Sequence, residues 1–208
     1  MPDIDFGLYH HSTKEQSEDL RKIARTMFME AFKKIGIPED AKIIILDAGA
    51  GSGFLTYTAA SYFHNANITA IDNFTDKSLE GNSIDRIKEN MEKLGIYDRV
   101  KILEKDLMKP IDTGRVFDLA ISNIVLHNLG KSRFTAYKNI SKTIKCNRYF
   151  INADGFIRKN IFVDPFRKDM NKISNFFNPN FAMEPNYQNK SASWRYILVG
   201  LKTVCPEK

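Results

Sequence analysis

The sequence predicts an α/β chain: a doubly wound sheet, mostly parallel, with helices on both faces and an antiparallel hairpin at its C-terminal end. A continuous β-branched run, Lys42 to Leu46, leads straight into a glycine-rich loop. Short apolar runs then alternate with segments of helical periodicity as far as Asn152, the pattern of right-handed β–α–β crossovers. Beyond Gly155 that alternation weakens, and two strand-like stretches flank a polar turn region.

The elements follow in order. Asp19 to Ile35 is an amphipathic helix, with Leu20, Ile23, Ala24, Met27, Phe28, Ala31, Phe32 and Ile35 on one face, ended by Gly36 and Pro38. Lys42 to Leu46 reads as a strand buried on both faces. A helix follows over Phe54 to Phe63, then a short strand over Asn67 to Ile71 that runs into Asp72. Ser83 to Leu94 is helical, stopped by Gly95. Val100 to Leu103 is the third strand and Val116 to Ser122 the fourth. Phe134 to Ile144 is a helix and Tyr149 to Asn152 the fifth strand. Pro165 to Phe177 aligns Phe166, Met170, Ile173 and Phe177 as a helix. Phe181 to Glu184 and Trp194 to Leu201 form the closing hairpin.

At 208 residues the chain is of single-domain length, over 1–208. Within it, 1–38 is an N-terminal segment with its helix, 40–155 a core, 156–190 an insert and 191–208 a closing strand. With 43% hydrophobic and 27% charged residues the bulk of the chain is not disordered. No apolar run approaches the ~20 residues of a membrane span, and the N-terminus carries no secretory signal pattern. Cys146 and Cys205 form no Cys-x-x-Cys and no His/Cys cluster. They are expected as separate thiols of a cytoplasmic protein, with no metal site. The charge of +6 is uneven: residues 131–172 hold eleven Lys/Arg against Asp154, Asp164 and Asp169. That stretch is either a solvated face or a surface for an anionic partner such as RNA.

The segment Asp47-Ala-Gly-Ala-Gly-Ser-Gly53 carries most of the functional information. Its glycines let the backbone turn sharply and present N–H groups to a ligand. The spacing fails the dinucleotide pattern, because Phe54 or Thr56 stands where a tiny residue is needed. It also lacks the Gly-Lys-Ser/Thr of a phosphate loop. An acid at the last strand residue would repel a pyrophosphate and favour a cationic ligand. Asp72, at the end of the next strand, is placed to accept from ribose hydroxyls, and Asp106 adds a third carboxylate on the same rim. The ligand implied is a nucleoside carrying positive charge.

These residues resemble the class I S-adenosylmethionine-dependent methyltransferases, small-molecule type. Asp47 to Gly53 looks like the first motif, Ile68 to Asp72 the second, Val100 to Leu107 the third, and Phe117 to Leu129, with its Val-Leu-His-x-Leu form, the fourth. Thr143 to Asp154 resembles the last parallel strand and its approach, although Lys145-Cys-Asn-Arg replaces the usual Lys-Pro-Gly-Gly. The resemblance implies a Rossmann-like, seven-stranded methyltransferase fold. It also implies S-adenosylmethionine as cofactor, with S-adenosylhomocysteine as product. By the same resemblance, Gly49, Ala50, Gly51 and Gly53 line the methionine part, with Asp47 near its ammonium. Asp72 holds the ribose, Asn73 and Phe74 lie beside the adenine, Asp106 and Leu107 face the ring, and Asn123 borders the methionine end.

Methyl transfer needs a base only where the acceptor must lose a proton. His127, after the fourth strand, is the base candidate; the resemblance also implies that 1–38 includes an N-terminal lid over the crevice, which makes Tyr9 and His10 candidates. Asn123-Ile-Val-Leu lacks the Asn/Asp-Pro-Pro-aromatic form of many base-modifying enzymes, which favours a small-molecule acceptor. An RNA or protein methyltransferase using residues 131–172, and a non-catalytic nucleoside-binding adaptor, are the competing readings. The acceptor and the oligomeric state are not encoded in any motif.

Overall fold

A computed structural model describes residues 4–75, 78–159, 163–186 and 193–205. The parts of the insert and closing strand at 160–162, 187–192 and 206–208 lie outside the described residues. The sheet has seven strands in the order β3-β2-β1-β4-β5-β7-β6. These are β1 (Ile44–Ala48), β2 (Asn67–Asp72), β3 (Val100–Glu104), β4 (Phe117–Asn123), β5 (Ile144–Ile157), β6 (Phe177–Met183) and β7 (Trp194–Thr203). The first five pair in parallel, and β7 runs antiparallel between β5 and β6. The order reverses between β1 and β4, so a crevice opens at the carboxyl ends of those strands.

Both faces of the sheet are covered. The helices are α1 (Lys14–Lys34), α2 (Phe54–Tyr62), α3 (Ile84–Lys93), α4 (Arg133–Ser141) and α5 (Pro165–Ile173). One core packs Phe28, Phe32, Phe63 and Ile87 from α1 to α3 on Ile45, Ile68 and Leu119. The other packs Tyr137, Ile140 and Ile173 from α4 and α5 on Leu46, Phe117, Phe150 and Phe177. Ile45 and Leu46 thus serve opposite cores, and all seven residues of β4 are buried. This is why β1 reads as an unbroken apolar run.

Three elements depart from the sequence reading. Helix α1 starts five residues before Asp19, because Thr13 and Gln16 form a reciprocal capping box: the Gln16 N–H donates to Thr13 Oγ1 at 3.2 Å and the Thr13 N–H to Gln16 Oε1 at 2.9 Å. Its polar first turn has no apolar period to reveal it. Strand β5 runs from Ile144 to Ile157 instead of Tyr149 to Asn152, because Phe117 of β4 pairs with it at Ile144 and β7 pairs with it from Tyr149 to Ile157. Phe177, expected as the last turn of a helix, opens β6 opposite Thr203. Cys146 and Cys205, expected as separate thiols, are joined in a disulfide across the start of β5 and the end of β7. Their separation of 59 residues closes only through the register of that antiparallel pair.

The N-terminal segment runs back over the crevice. Tyr9 bridges Leu79, the Glu80 N–H donates to the Leu8 carbonyl at 2.9 Å, and the His10 N–H donates to the Ser78 carbonyl at 2.8 Å. Asn90 Nδ2 on α3 donates to the Asp5 carbonyl at 2.9 Å, pinning the same strap lower down.

Candidate functional site

The crevice at the switch between β1 and β4 is a cleft of about 880 Å³ including its open mouth, within the size range of small-molecule sites. The turn after β1 contributes Gly49, Ala50 and Gly51; the end of β2 contributes Asp72 and Asn73; the turn after β3 contributes Asp106 and Leu107. Asn123 ends β4, and Tyr9 comes from the strap. Nine residues singled out from the sequence therefore share one wall.

The loop after β1 is built so that its backbone faces the cleft. Gly49 has φ +82°, and a Cβ there would lie 2.5 Å from Val125; only glycine meets both demands. The Gly51 N–H donates to Asp72 Oδ2 at 2.9 Å. Asp72 Oδ1 accepts from the Phe74 N–H at 2.8 Å and from Asn82 Nδ2 at 3.3 Å. The carboxylate is held rigid before any ligand arrives. Asp106 is fixed likewise by the Met108 N–H, 2.8 Å from its Oδ1.

Several expected residues stand elsewhere. Asp47 lies behind the loop, fully buried, with Thr56 Oγ1 donating to its Oδ2 at 2.5 Å and no partner for Oδ1. Burial, reinforced by the charge of Asp72, pushes its carboxyl up to about 7 against the opposing hydrogen bond from Thr56. Gly53, with φ +90°, is the N-cap of α2, and a Cβ there would meet Met91 and Ile87, so it serves helix packing. Phe74 and His10 flank a neighbouring hollow under the strap. His127 is off the cleft wall, with its Nδ1 2.5 Å from Asp154 Oδ1.

Asn123 is held from two sides. The Tyr196 hydroxyl donates to its Oδ1 at 2.5 Å, and its Nδ2 donates to the Tyr9 hydroxyl at 3.4 Å. Burial raises the pKa of both tyrosines, so both hydroxyls stay protonated. The next residue, Ile124, has φ +57° on the cleft wall, a left-handed conformation costly for a β-branched side chain and typical of functional turns.

The sequence reading missed Arg21. It lies on the buried stripe of α1 beside Ser17 and Ala24, lines the cleft, and stands 4.9 Å from the Tyr9 ring centroid. Its Nη2 donates to the carbonyls of Phe6 (3.1 Å) and Gly7, while its buried Nε has no hydrogen-bond partner. The available signal was a charged residue on an apolar helix face. With Asp72 and Asp106 it gives the cleft lining both signs of charge: carboxylates beyond two strand ends and a guanidinium from α1.

Among the described residues, three of the eleven basic side chains in the basic stretch make internal contacts as follows. Arg133 Nη2 pairs with both Asp169 oxygens at 2.7 and 2.8 Å, Lys145 pairs with Asp118 at 2.8 Å, and Lys172 sits 4.9 Å from the Phe134 ring centroid. Among the described residues no cluster of three or more potential metal ligands occurs, and no helix is long and apolar enough to cross a membrane.

Residues 39–196 match the sequence family described as a methyltransferase domain. A release factor glutamine methyltransferase from Rhodopirellula baltica is 32% identical over 79 residues, which is 38% of this chain and 25% of that protein. The aligned stretch is thus about a quarter of that relative's length. Among solved structures, the StiE O-MT, residues 961–1257, superposes with a TM-score of 0.68 at 16% identity, covering 94% of this chain and 77% of that one. The N-methyltransferase NodS from Bradyrhizobium japonicum, in complex with S-adenosyl-L-homocysteine, gives 0.62 at 13% identity, covering 99% and 90%.

Proposed function

The chain belongs to the methyltransferase-domain family, and we propose that it moves a methyl group from S-adenosylmethionine to a small-molecule acceptor by in-line displacement, releasing S-adenosylhomocysteine. The observation that carries this reading is a cleft lined by both signs of charge. The orphaned Arg21 Nε suits a carboxylate, the Gly49–Gly51 backbone suits the methionine chain, and Asp72 suits ribose hydroxyls. Asp106 and Leu107 suit the adenine edge. Asp47 contributes negative potential from behind the loop, where an ammonium in the cleft would favour its ionised form.

When bound, this cofactor supplies a methyl group already activated by a sulfonium. The protein's contribution is then alignment, worth up to about 7–11 kcal/mol. Asp72 would hold the ribose and Arg21 the carboxylate end of the ligand, and the strap through Tyr9 would shut out water. Asn123, immobilised by Tyr196, marks the boundary with the acceptor side.

Three features support a small acceptor. The strap is stitched to the 78–80 segment across the cleft. The Asn123 oxygen is engaged by Tyr196. Arg133 and Lys145 on the basic stretch are already ion-paired. Titration calorimetry with S-adenosylhomocysteine tests the reading: we expect micromolar affinity, lost in Asp72→Ala. A wild-type chain that binds neither this ligand nor S-adenosylmethionine refutes it. Tight RNA binding with a steep salt dependence would move the acceptor to nucleic acid.

A further inference from the structure

Asp72 has fewer free lone pairs than a ribose has hydroxyls. Its two oxygens offer about four acceptor sites, and three donors already occupy them. The Gly51 N–H meets Oδ2 at 2.9 Å, and the Phe74 N–H and Asn82 Nδ2 meet Oδ1 at 2.8 and 3.3 Å. Room is left for one further donor, on Oδ2. A ribose brings two hydroxyls, so the second needs another acceptor close to the first.

Asn82 has the matching oxygen. A carboxylate can only accept, so the amide nitrogen is the atom of Asn82 that serves Asp72, and the amide oxygen is left for another donor. That oxygen is buried with no hydrogen-bond partner, and Asn82 lines the cleft together with Asp72. Two other residues on the lining carry such atoms, Arg21 at Nε and Ser52 at Oγ. A guanidinium nitrogen only donates and a hydroxyl does either, whereas an amide oxygen only accepts. Asn82 Oδ1 therefore calls for a ligand O–H or N–H, since a buried polar atom left unpaired is costly.

Asn82 also stands where the strap lands. Its N–H donates to the Leu79 carbonyl at 3.4 Å, within the turn whose residues 78–80 bond to Leu8, Tyr9 and His10. It directly precedes Ser83, the N-cap of α3. On that helix, Asn90 Nδ2 donates both to the Asp5 carbonyl of the strap at 2.9 Å and to the Ser52 carbonyl of the glycine turn at 2.8 Å. Strap, glycine turn and the acid ending β2 are thus joined at one corner.

We infer that Asn82 is a further cofactor-binding residue, which accepts one ribose hydroxyl through Oδ1 while Asp72 accepts the other, and which thereby couples the filled cleft to closure of the strap. The inference rests on the methyltransferase reading above. With the strap down, Asn82 Oδ1 is closed off from water, so the ligand enters first and the strap settles after it. An empty cleft leaves that oxygen unpaired and the strap less firmly held.

Titration calorimetry of the full chain with S-adenosylhomocysteine and its 2′-deoxy and 3′-deoxy analogues tests the contact. The wild type should bind each analogue about 10-fold or more weakly than the parent ligand. Asn82→Ala should lose about 10-fold for S-adenosylhomocysteine and for one analogue, and bind the other analogue as the wild type does, because the hydroxyl that meets Asn82 is already missing from it. Equal losses for all three ligands, or no loss, overturn the proposal. So does a wild type indifferent to either hydroxyl, a result that needs no variant to fold. Hydrogen exchange at the His10 and Glu80 amides, which bond the strap to the 78–80 turn, tests the coupling. Saturating S-adenosylhomocysteine should slow both in the wild type by about 10-fold, and one of the two deoxy analogues at saturation should not. Protection that is the same with all three ligands overturns the coupling. A wild type that binds neither S-adenosylhomocysteine nor S-adenosylmethionine is the failure of the parent reading, whereas this inference fails on the pattern among ligands while S-adenosylhomocysteine still binds.

Discussion

Gly51 gives its backbone N–H to Asp72 Oδ2 at 2.9 Å, so the glycine turn after β1 and the acid ending β2 are a single mechanical unit. A ligand gripped by one is presented to the other. Asp72→Ala removes the acceptor of Gly51, Phe74 and Asn82 together. It should cost about 1–3 kcal/mol of stability and abolish measurable S-adenosylhomocysteine binding. Asp72→Asn, which retains one oxygen, should fold near normally and bind weakly. Thermal unfolding and calorimetry on the two variants separate the loop-tying role from the ligand role.

Gly49 answers two constraints at once, and they can be divided. Gly49→Ala faces both φ +82° and a Cβ 2.5 Å from Val125. The left-handed backbone costs about 1–2 kcal/mol, and overpacking adds about 1–3 kcal/mol. Adding Val125→Ala should recover the second part and leave the first. Chemical denaturation of the single and double variants reads the difference.

Arg21 is assigned to the ligand carboxylate, so its loss should be felt only by ligands that have one. Arg21→Leu should weaken S-adenosylhomocysteine binding about 10- to 100-fold, the value of one charge-assisted hydrogen bond. Affinity for 5′-methylthioadenosine, which lacks the amino-acid part, should change far less. Equal losses for the two ligands would mean that Arg21 acts only by anchoring Phe6 and Gly7 of the strap.

Asp47 ties stability to pH. Its carboxyl titrates at about 7 in the fold and near 3.9 in an unfolded chain. Below the lower value the group is protonated in both states and costs nothing. As pH rises towards 7 the unfolded chain ionises first, and stability falls by up to about 4 kcal/mol. Asp47→Asn should flatten that decline and unfold at a higher temperature than wild type at pH 8. The same substitution should weaken S-adenosylmethionine binding, because a cationic ligand gains from the ionised carboxylate. Unfolding curves from pH 5 to pH 8 check the first outcome and calorimetry the second.

The Cys146–Cys205 bridge closes a long loop across β5 and β7. Reduction, or Cys205→Ser, should lower the unfolding free energy by up to about 4 kcal/mol, the chain-entropy value for a loop of this length. Cofactor affinity should hold, since the bridge lies at the amino end of β5 and the cleft at the carboxyl ends. Unfolding with and without a thiol reductant measures it.

Much of the site was legible because it is local. The turn from Asp47 to Gly53 is a contiguous stretch whose glycines are required by backbone angles and close approach, and Asp72 and Asp106 terminate strands that announce themselves by apolar runs. Asp47 shows the limit of that legibility. Its position before the glycines suggested a ligand contact, yet the Thr56 hydroxyl draws its carboxylate inward to the back of the loop.

Composition and period determined the α/β class, the parallel order of the early strands and the cationic-nucleoside character of the crevice, since each follows from neighbours a few residues apart. Tertiary structure alone decided the rest. It brought Arg21 from the first helix to the cleft, Tyr196 from the last strand to Asn123, Asp154 to His127, and Cys205 to Cys146. Those meetings depend on strand register and on crossovers between distant segments, and no local pattern encodes the distance between two side chains that the chain separates by dozens of residues.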